Sequence, residues 1–136
     1  MSGVSKAIVQ PLLSWYDAGH RDLPWRSEPA PYRVWVSEIM LQQTRVEAVR
    51  GYFSRWMNAL PDIPALAAAD EAVYTKLWEG LGYYNRVRNL HRAAVLLCEE
   101  YGGELPADYD RLLALPGVGE YTAGAVASIA FGLPVP

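Results

Sequence analysis

Glu38 lies in the run Val34-Trp35-Val36-Ser37-Glu38-Ile39-Met40-Leu41. A carboxyl group walled by such side chains loses the solvation of its charged form, so its pKa rises. A raised pKa keeps a proton available near neutral pH, as a general acid requires. On a helix, the same-face neighbours of Glu38 are Val34, Trp35, Leu41 and Gln42. The competing reading is an ordinary glutamate on a half-exposed helix. A second stretch, LPGVGEYTAGA, fills residues 115–125. Gly117 and Gly119 permit positive φ and leave no Cβ in the way. The amides of Gly117, Val118 and Gly119, behind Pro116, are expected to point outward together beside a helix N-terminus, a site suited to one phosphate. The glycines alone fit a plain αα-corner equally well. Ala123, Gly124, Ala125 and Ala127 let the following helix approach its neighbour closely, and Tyr121 is the large side chain where turn becomes helix. Arg86, Arg88 and Arg92 form the densest basic cluster, and at least one is expected to meet phosphate.

These groups need a scaffold, and the periodicity is helical nearly throughout. Over 86–101, Val87, Leu90, Ala94, Leu97 and Tyr101 mark one helix face. Over 45–58, Val46, Val49, Phe53 and Trp56 do the same. Pro31 opens a helix over 31–43. Short helices are expected at 70–79, with Asp70 as N-cap, and at 108–114, with Asp108 as N-cap. Residues 4–17 read as helix with a kink at Pro11. Breakers fall at 26–31, 60–64, 80–84, 101–106 and 115–119. No stretch alternates with period two for long enough to demand a strand. The expectation is an all-α domain of six to eight short helices.

The 136 residues suit one domain, and 51% apolar residues can fill its core. A net charge of −3 argues mildly against nucleic acid. It does not decide the matter, because helix N-termini and backbone amides bind phosphate without formal charge. Cys98 stands alone, so neither an internal disulfide nor a multi-cysteine metal site is available in this chain. No signal sequence and no run long enough to cross a bilayer is apparent, which gives a soluble, cytoplasmic expectation. The apolar, proline-marked end FGLPVP reads as the start of a further element.

LPGVG followed by a small-residue helix resembles the helix–hairpin–helix element of DNA base-excision glycosylases. SEIMLQQT at 37–44 resembles the catalytic helix of their MutY-type adenine glycosylase branch. LPWR at 23–26 and GLGYYNRVRNLH at 80–91 fall in the same order as in that branch. The resemblance implies the helix–hairpin–helix glycosylase fold. An N-terminal helix at 1–22 would precede a six-helix barrel domain at 23–136, with the hairpin element at 108–131. It implies a monofunctional glycosylase that removes adenine mispaired with 8-oxoguanine or guanine. Glu38 would protonate adenine N7. Trp25, Arg26, Leu41 and Val46 would line the pocket for the flipped base, although Trp25 also reads as core. Tyr121 would close that pocket. It stands where the bifunctional, endonuclease III-like branch has its Schiff-base lysine, and a phenol forms no imine. Gln43 and Thr44 match residues touching the 8-oxoguanine strand, while Gln42 supports the helix. Tyr83 matches an aromatic wedge beside the oxidised guanine, worth about 1–3 kcal/mol of stacking. Tyr84 reads as a buried aromatic and His91 as structural. Pro116, Gly117, Val118 and Gly119 would hold the DNA backbone, with a monovalent cation on the hairpin carbonyls.

Two parts of that family's pattern have no counterpart here: an aspartate that steadies the oxocarbenium-like sugar, and a four-cysteine [4Fe–4S] loop. The chain therefore reads as a fragment truncated before the iron–sulfur domain. Such a fragment is expected to be monomeric, bacterial and nucleoid-associated, to bind DNA weakly and to turn over slowly at best. Double-stranded DNA is the expected partner. Two further readings stay open on the residues: a glycosylase for another mismatched base, and a non-catalytic helix–hairpin–helix DNA-binding module. An unrelated helical protein with a chance hairpin is weaker still.

Overall fold

The computed structural model describes residues 30–134. The N-terminal helix expected at 1–22, together with Trp25 and Arg26, lies outside the described residues. Among those described there are seven α-helices and no strand, so the all-α expectation holds. They are α1 (Pro31–Leu41), α2 (Val46–Ala59), α3 (Ile63–Ala68), α4 (Glu71–Leu77), α5 (Tyr84–Glu100), α6 (Tyr109–Leu113) and α7 (Glu120–Ala125). The last runs on into a π-helical turn, Val126–Ala130.

α1 is the axis of the domain. Pro31 sits in its first turn, where the missing N–H costs nothing. From Tyr32 to Met40 every residue is buried except Arg33, which is half-buried with its guanidinium over the Phe53 ring. A helix apolar on all sides has to be enclosed. α2, α7 and the π-turn supply that enclosure by packing on it. Tyr32 locks α1 to α2. Its hydroxyl donates to the Leu60 carbonyl at 2.8 Å and accepts from Trp56 Nε1 at 2.9 Å.

The remaining helices bury the faces their spacing marks. Val49, Phe53 and Trp56 of α2 are fully enclosed, as are Val87, Ala94 and Leu97 of α5, with Leu90 nearly so. α3 packs on α5, and its existence corrects the reading of 60–64 as a simple breaker. Asp62 caps it by accepting from the Ala65 amide at 2.9 Å, and Pro64 occupies its first turn. The same residues that break the preceding helix begin this one. Asp108 caps α6 as expected, accepting from the Arg111 amide at 2.9 Å. Asp70 holds the N-cap position of α4, but its side chain makes no capping hydrogen bond. α4 also ends at Leu77, two residues short of the expected boundary.

The hairpin between α6 and α7 departs from expectation at two positions. Gly117 has φ +75, and a Cβ there would lie 2.7 Å from Asn89 Cβ on α5, so only glycine fits. Gly119 has φ −92 and ψ −178, ordinary extended backbone with open space around it. Its role is N-cap of α7 rather than a left-handed turn. The Val118 amide does not point outward. It donates to the Leu115 carbonyl at 3.1 Å, and the Val118 side chain is buried. Hydrophobic burial of Val118 anchors the turn, and the bond to Leu115 uses the amide donor.

Candidate active site

Two polar residues lie in the buried stretch of α1, Ser37 and Glu38. Ser37 satisfies itself by donating to the Val34 carbonyl at 2.8 Å. Glu38 does not. It is 1% exposed, and its Oε2 is buried with no hydrogen-bond partner. Burial alone pushes its carboxyl from 4.5 up to about 7. Leaving a buried polar atom unpaired is costly, and such groups are rare in folded proteins outside functional sites.

Glu38 is reached from a cleft of about 520 Å³. Leu41, Thr44, Arg45, Val46, Glu47 and Tyr121 complete its lining. The elements explain this convergence. α1 carries Glu38 and Leu41, its exit turn carries Thr44, α2 begins at Val46, and α7 brings Tyr121 across. Tyr121 is 59% exposed, although large aromatics normally seek the core. Its phenol is held above the usual value first by burial and then by the charge of Glu38. Leu41, Val46 and Tyr121 therefore stand with Glu38 as expected. Thr44 joins the same cleft, while its neighbour Gln43 reaches elsewhere. Arg45 and Glu47 add two charged residues to the lining beyond those the sequence marks. Arg45 is the N-cap of α2 and Glu47 lies in its first turn, so both reach the cleft from the start of that helix, a placement no sequence pattern marks.

Beside the cleft, the loop between α4 and α5 presents Tyr83. Three side chains grip its carbonyls. Tyr52 donates to Glu79 at 2.8 Å, Gln43 Nε2 to Leu81 at 3.2 Å, and Trp78 Nε1 to Gly82 at 2.9 Å. Tyr83 is held with φ 49, the one non-glycine residue with positive φ among those described. A tyrosine in that region is strained, and such strain clusters at functional sites. Its ring is 76% exposed, with the Arg86 guanidinium 5.9 Å from the centroid. Tyr84 corrects the buried-aromatic reading. It is 37% exposed, because the tight turn at residues 80–83 sends both rings outward.

The basic cluster divides. Arg86 turns toward the α1 exit and donates to Gln42 Oε1. Arg88 pairs with Glu71 at 3.0 Å on the exposed α4–α5 face. Arg92 donates to Asn89 Oδ1 at 3.2 Å. His91 is structural, as expected: it stacks on Tyr74 at 4.7 Å and meets the Ala67 carbonyl at 3.1 Å. Pro116 is half-buried and Gly117 and Gly119 are exposed at the hairpin surface.

Residues 36–129 match the HhH-GPD superfamily of base excision DNA repair proteins. The chain belongs to this superfamily. It is 51% identical over 129 residues to an adenine DNA glycosylase of Mus musculus, covering 88% of this chain and 25% of that protein. It thus spans about a quarter of that relative's length. The fold is similar to a thermostable thymine-DNA glycosylase, with TM-score 0.77 and 28% identity over 95% of this chain and 60% of that one. It is also similar to a trapped endonuclease III–DNA covalent intermediate, with TM-score 0.74, 26% identity and coverage of 94% and 61%.

The four-cysteine set that the resemblance implies for a [4Fe–4S] cluster is not contained in this sequence. Cys98 is the one cysteine of the chain, and among the described residues no group of three His, Cys, Asp or Glu side chains could hold a metal ion. A monovalent cation would rest on hairpin carbonyls, of which Leu115 already accepts the Val118 amide. No helix among the described residues is long and apolar enough to cross a membrane.

Proposed function

We propose that this chain carries the base-releasing cleft of an adenine DNA glycosylase, acting on adenine opposite 8-oxoguanine or guanine in double-stranded DNA. The observation that carries the reading is Glu38: buried, unpaired, with a proton affinity matched to neutral pH, at a cleft open to solvent. Adenine leaves poorly as an anion. A proton delivered to its N7 converts it to a neutral leaving group, and such general-acid help is worth about two to four orders of magnitude in rate. The base must first leave the duplex, at about a few kcal/mol of unstacking. Leu41 and Val46 supply apolar walls for it, and Tyr121 closes over it from α7.

Tyr121 also sets the reaction type. A phenol forms no imine with the sugar, so water is the nucleophile and the strand stays intact. The exposed Tyr83 ring suits stacking within the opposite strand, and the hairpin at Pro116, Gly117 and Gly119 suits the DNA backbone. The sugar-steadying aspartate has no counterpart in the cleft, where the second carboxylate among the described residues is Glu47.

Glu38→Gln in the whole protein, on an adenine:8-oxoguanine duplex, tests the reading. Loss of base release with DNA binding retained supports it; unchanged release overturns it. Likeness to a thymine-DNA glycosylase supports a second reading, release of mispaired thymine. Thymine has no N7, so that activity would survive without the N7-directed acid, and a thymine:guanine duplex run in parallel separates the two.

A further inference from the structure

Gln42, at the exit of α1, links two parts of the site that are far apart in sequence. Its Nε2 donates to Thr122 Oγ1 at 2.8 Å, and its Oε1 accepts from Arg86 Nη1. Arginine only donates, so the carbonyl end of the amide must face Arg86 and the NH₂ end must face Thr122. Arg86 lies against the exposed Tyr83 ring. Thr122 is buried in the first turn of α7, directly after Tyr121. One amide therefore joins the aromatic that would meet the opposite strand to the helix that carries the cleft tyrosine. Gln43 grips the same loop through Leu81, so the two consecutive glutamines have separate tasks.

Building on the adenine glycosylase reading, we propose that Gln42 is a positioning residue. It transmits the seating of Tyr83 in the opposite strand to the alignment of Tyr121 over Glu38. A hydrogen-bonded network of this kind betrays itself through non-additive substitutions, whereas independent sites add. Gln42→Met keeps length and removes both bonds. Thr122→Val removes only the α7 end. Gln42→Glu keeps an acceptor for Arg86, and the Thr122 hydroxyl can reverse and donate to it.

Each variant, alone and combined with Tyr83→Ala, is assayed in the whole protein for single-turnover adenine release at saturating adenine:8-oxoguanine duplex. Gln42→Met and Thr122→Val are each expected to slow release about tenfold, a coupling within the usual range for networked residues. Together they should be no slower than either alone. Tyr83→Ala should then cost nothing further in the Gln42→Met background, and Gln42→Glu should recover most of the rate. If Tyr83→Ala costs the same factor in both backgrounds, or if Gln42→Glu is no better than Gln42→Met, the coupling is refuted. If the rate losses merely follow losses in Tm, Gln42 is a structural tie and the coupling is likewise refuted. A wild-type protein that releases no adenine overturns the glycosylase reading and this coupling with it.

Discussion

Replacing Glu38 with glutamine should make the protein more stable, and only at high pH. In the unfolded chain this carboxyl titrates near 4.5, and in the folded chain burial holds it at about 7. The sign follows from proton binding. Between those two values the folded state keeps a proton that the unfolded state has lost, so stability falls as pH rises through that window. At about 1.4 kcal/mol per pH unit of separation, the penalty approaches about 3 kcal/mol by pH 8 and is nearly absent at pH 4.5. Glutamine has almost the same shape and no charge at any pH. Contributions common to both proteins cancel in the difference. Urea unfolding of wild type and Glu38→Gln, from pH 4.5 to 8, should therefore show a stability gap that opens in favour of the variant by about 2–3 kcal/mol. The same variant should lose base release by about two to four orders of magnitude. A gap that stays constant with pH would mean that the folded carboxyl titrates like an exposed one, and the general-acid argument would fall with it.

The hairpin glycines should behave differently from one another. Gly117→Ala forces a Cβ to 2.7 Å from Asn89 at positive φ and should cost about 1–3 kcal/mol by chemical denaturation. Gly119→Ala meets nothing and should stay within about 0.5 kcal/mol of wild type. Asp108→Ala removes a formed helix cap and should cost about 1 kcal/mol, against a few tenths for Asp70→Ala, which removes none; thermal melts compare the two. Tyr83→Ala should leave the melting temperature nearly unchanged, because the ring is exposed, and weaken mismatched-duplex binding by about 1–3 kcal/mol in a titration.

What was legible in the sequence follows from how local its cause was. The faces of α2 and α5 could be read because each is amphipathic, and 3.6-residue spacing survives folding. α1 could be read as a helix from Pro31 onward, but its burial on every side could not, because the apolar run around Glu38 fitted a half-exposed helix as well. For Glu38 the apolar run left a half-exposed surface glutamate open, and the resemblance of SEIMLQQT to a catalytic helix decided between the two. α3 was hidden because its six residues make fewer than two turns, too few for the apolar spacing to repeat, and its start signal, Asp62 and Pro64, coincides with the end of α2. The outward turn of Tyr84 was hidden too, because it depends on the Tyr52, Trp78 and Gln43 bonds that set the loop after α4.

The hairpin marks the boundary between motif and geometry most sharply. LPGVG identified the turn, but the string treats its two glycines as equivalent, and the fold does not. Gly117 is demanded by the approach of Asn89 from α5, a contact with a residue 28 positions earlier in the chain. Val118 looks like a neutral spacer, yet its buried side chain and its bond to Leu115 hold the turn in the core. The amide it spends there cannot serve a phosphate. A backbone contact at this hairpin must therefore come from the groups on either side of Val118. Phosphate affinity should thus be insensitive to Val118→Ile, a swap that preserves burial, and sensitive to Val118→Asp, which expels the anchor and lets the whole turn move.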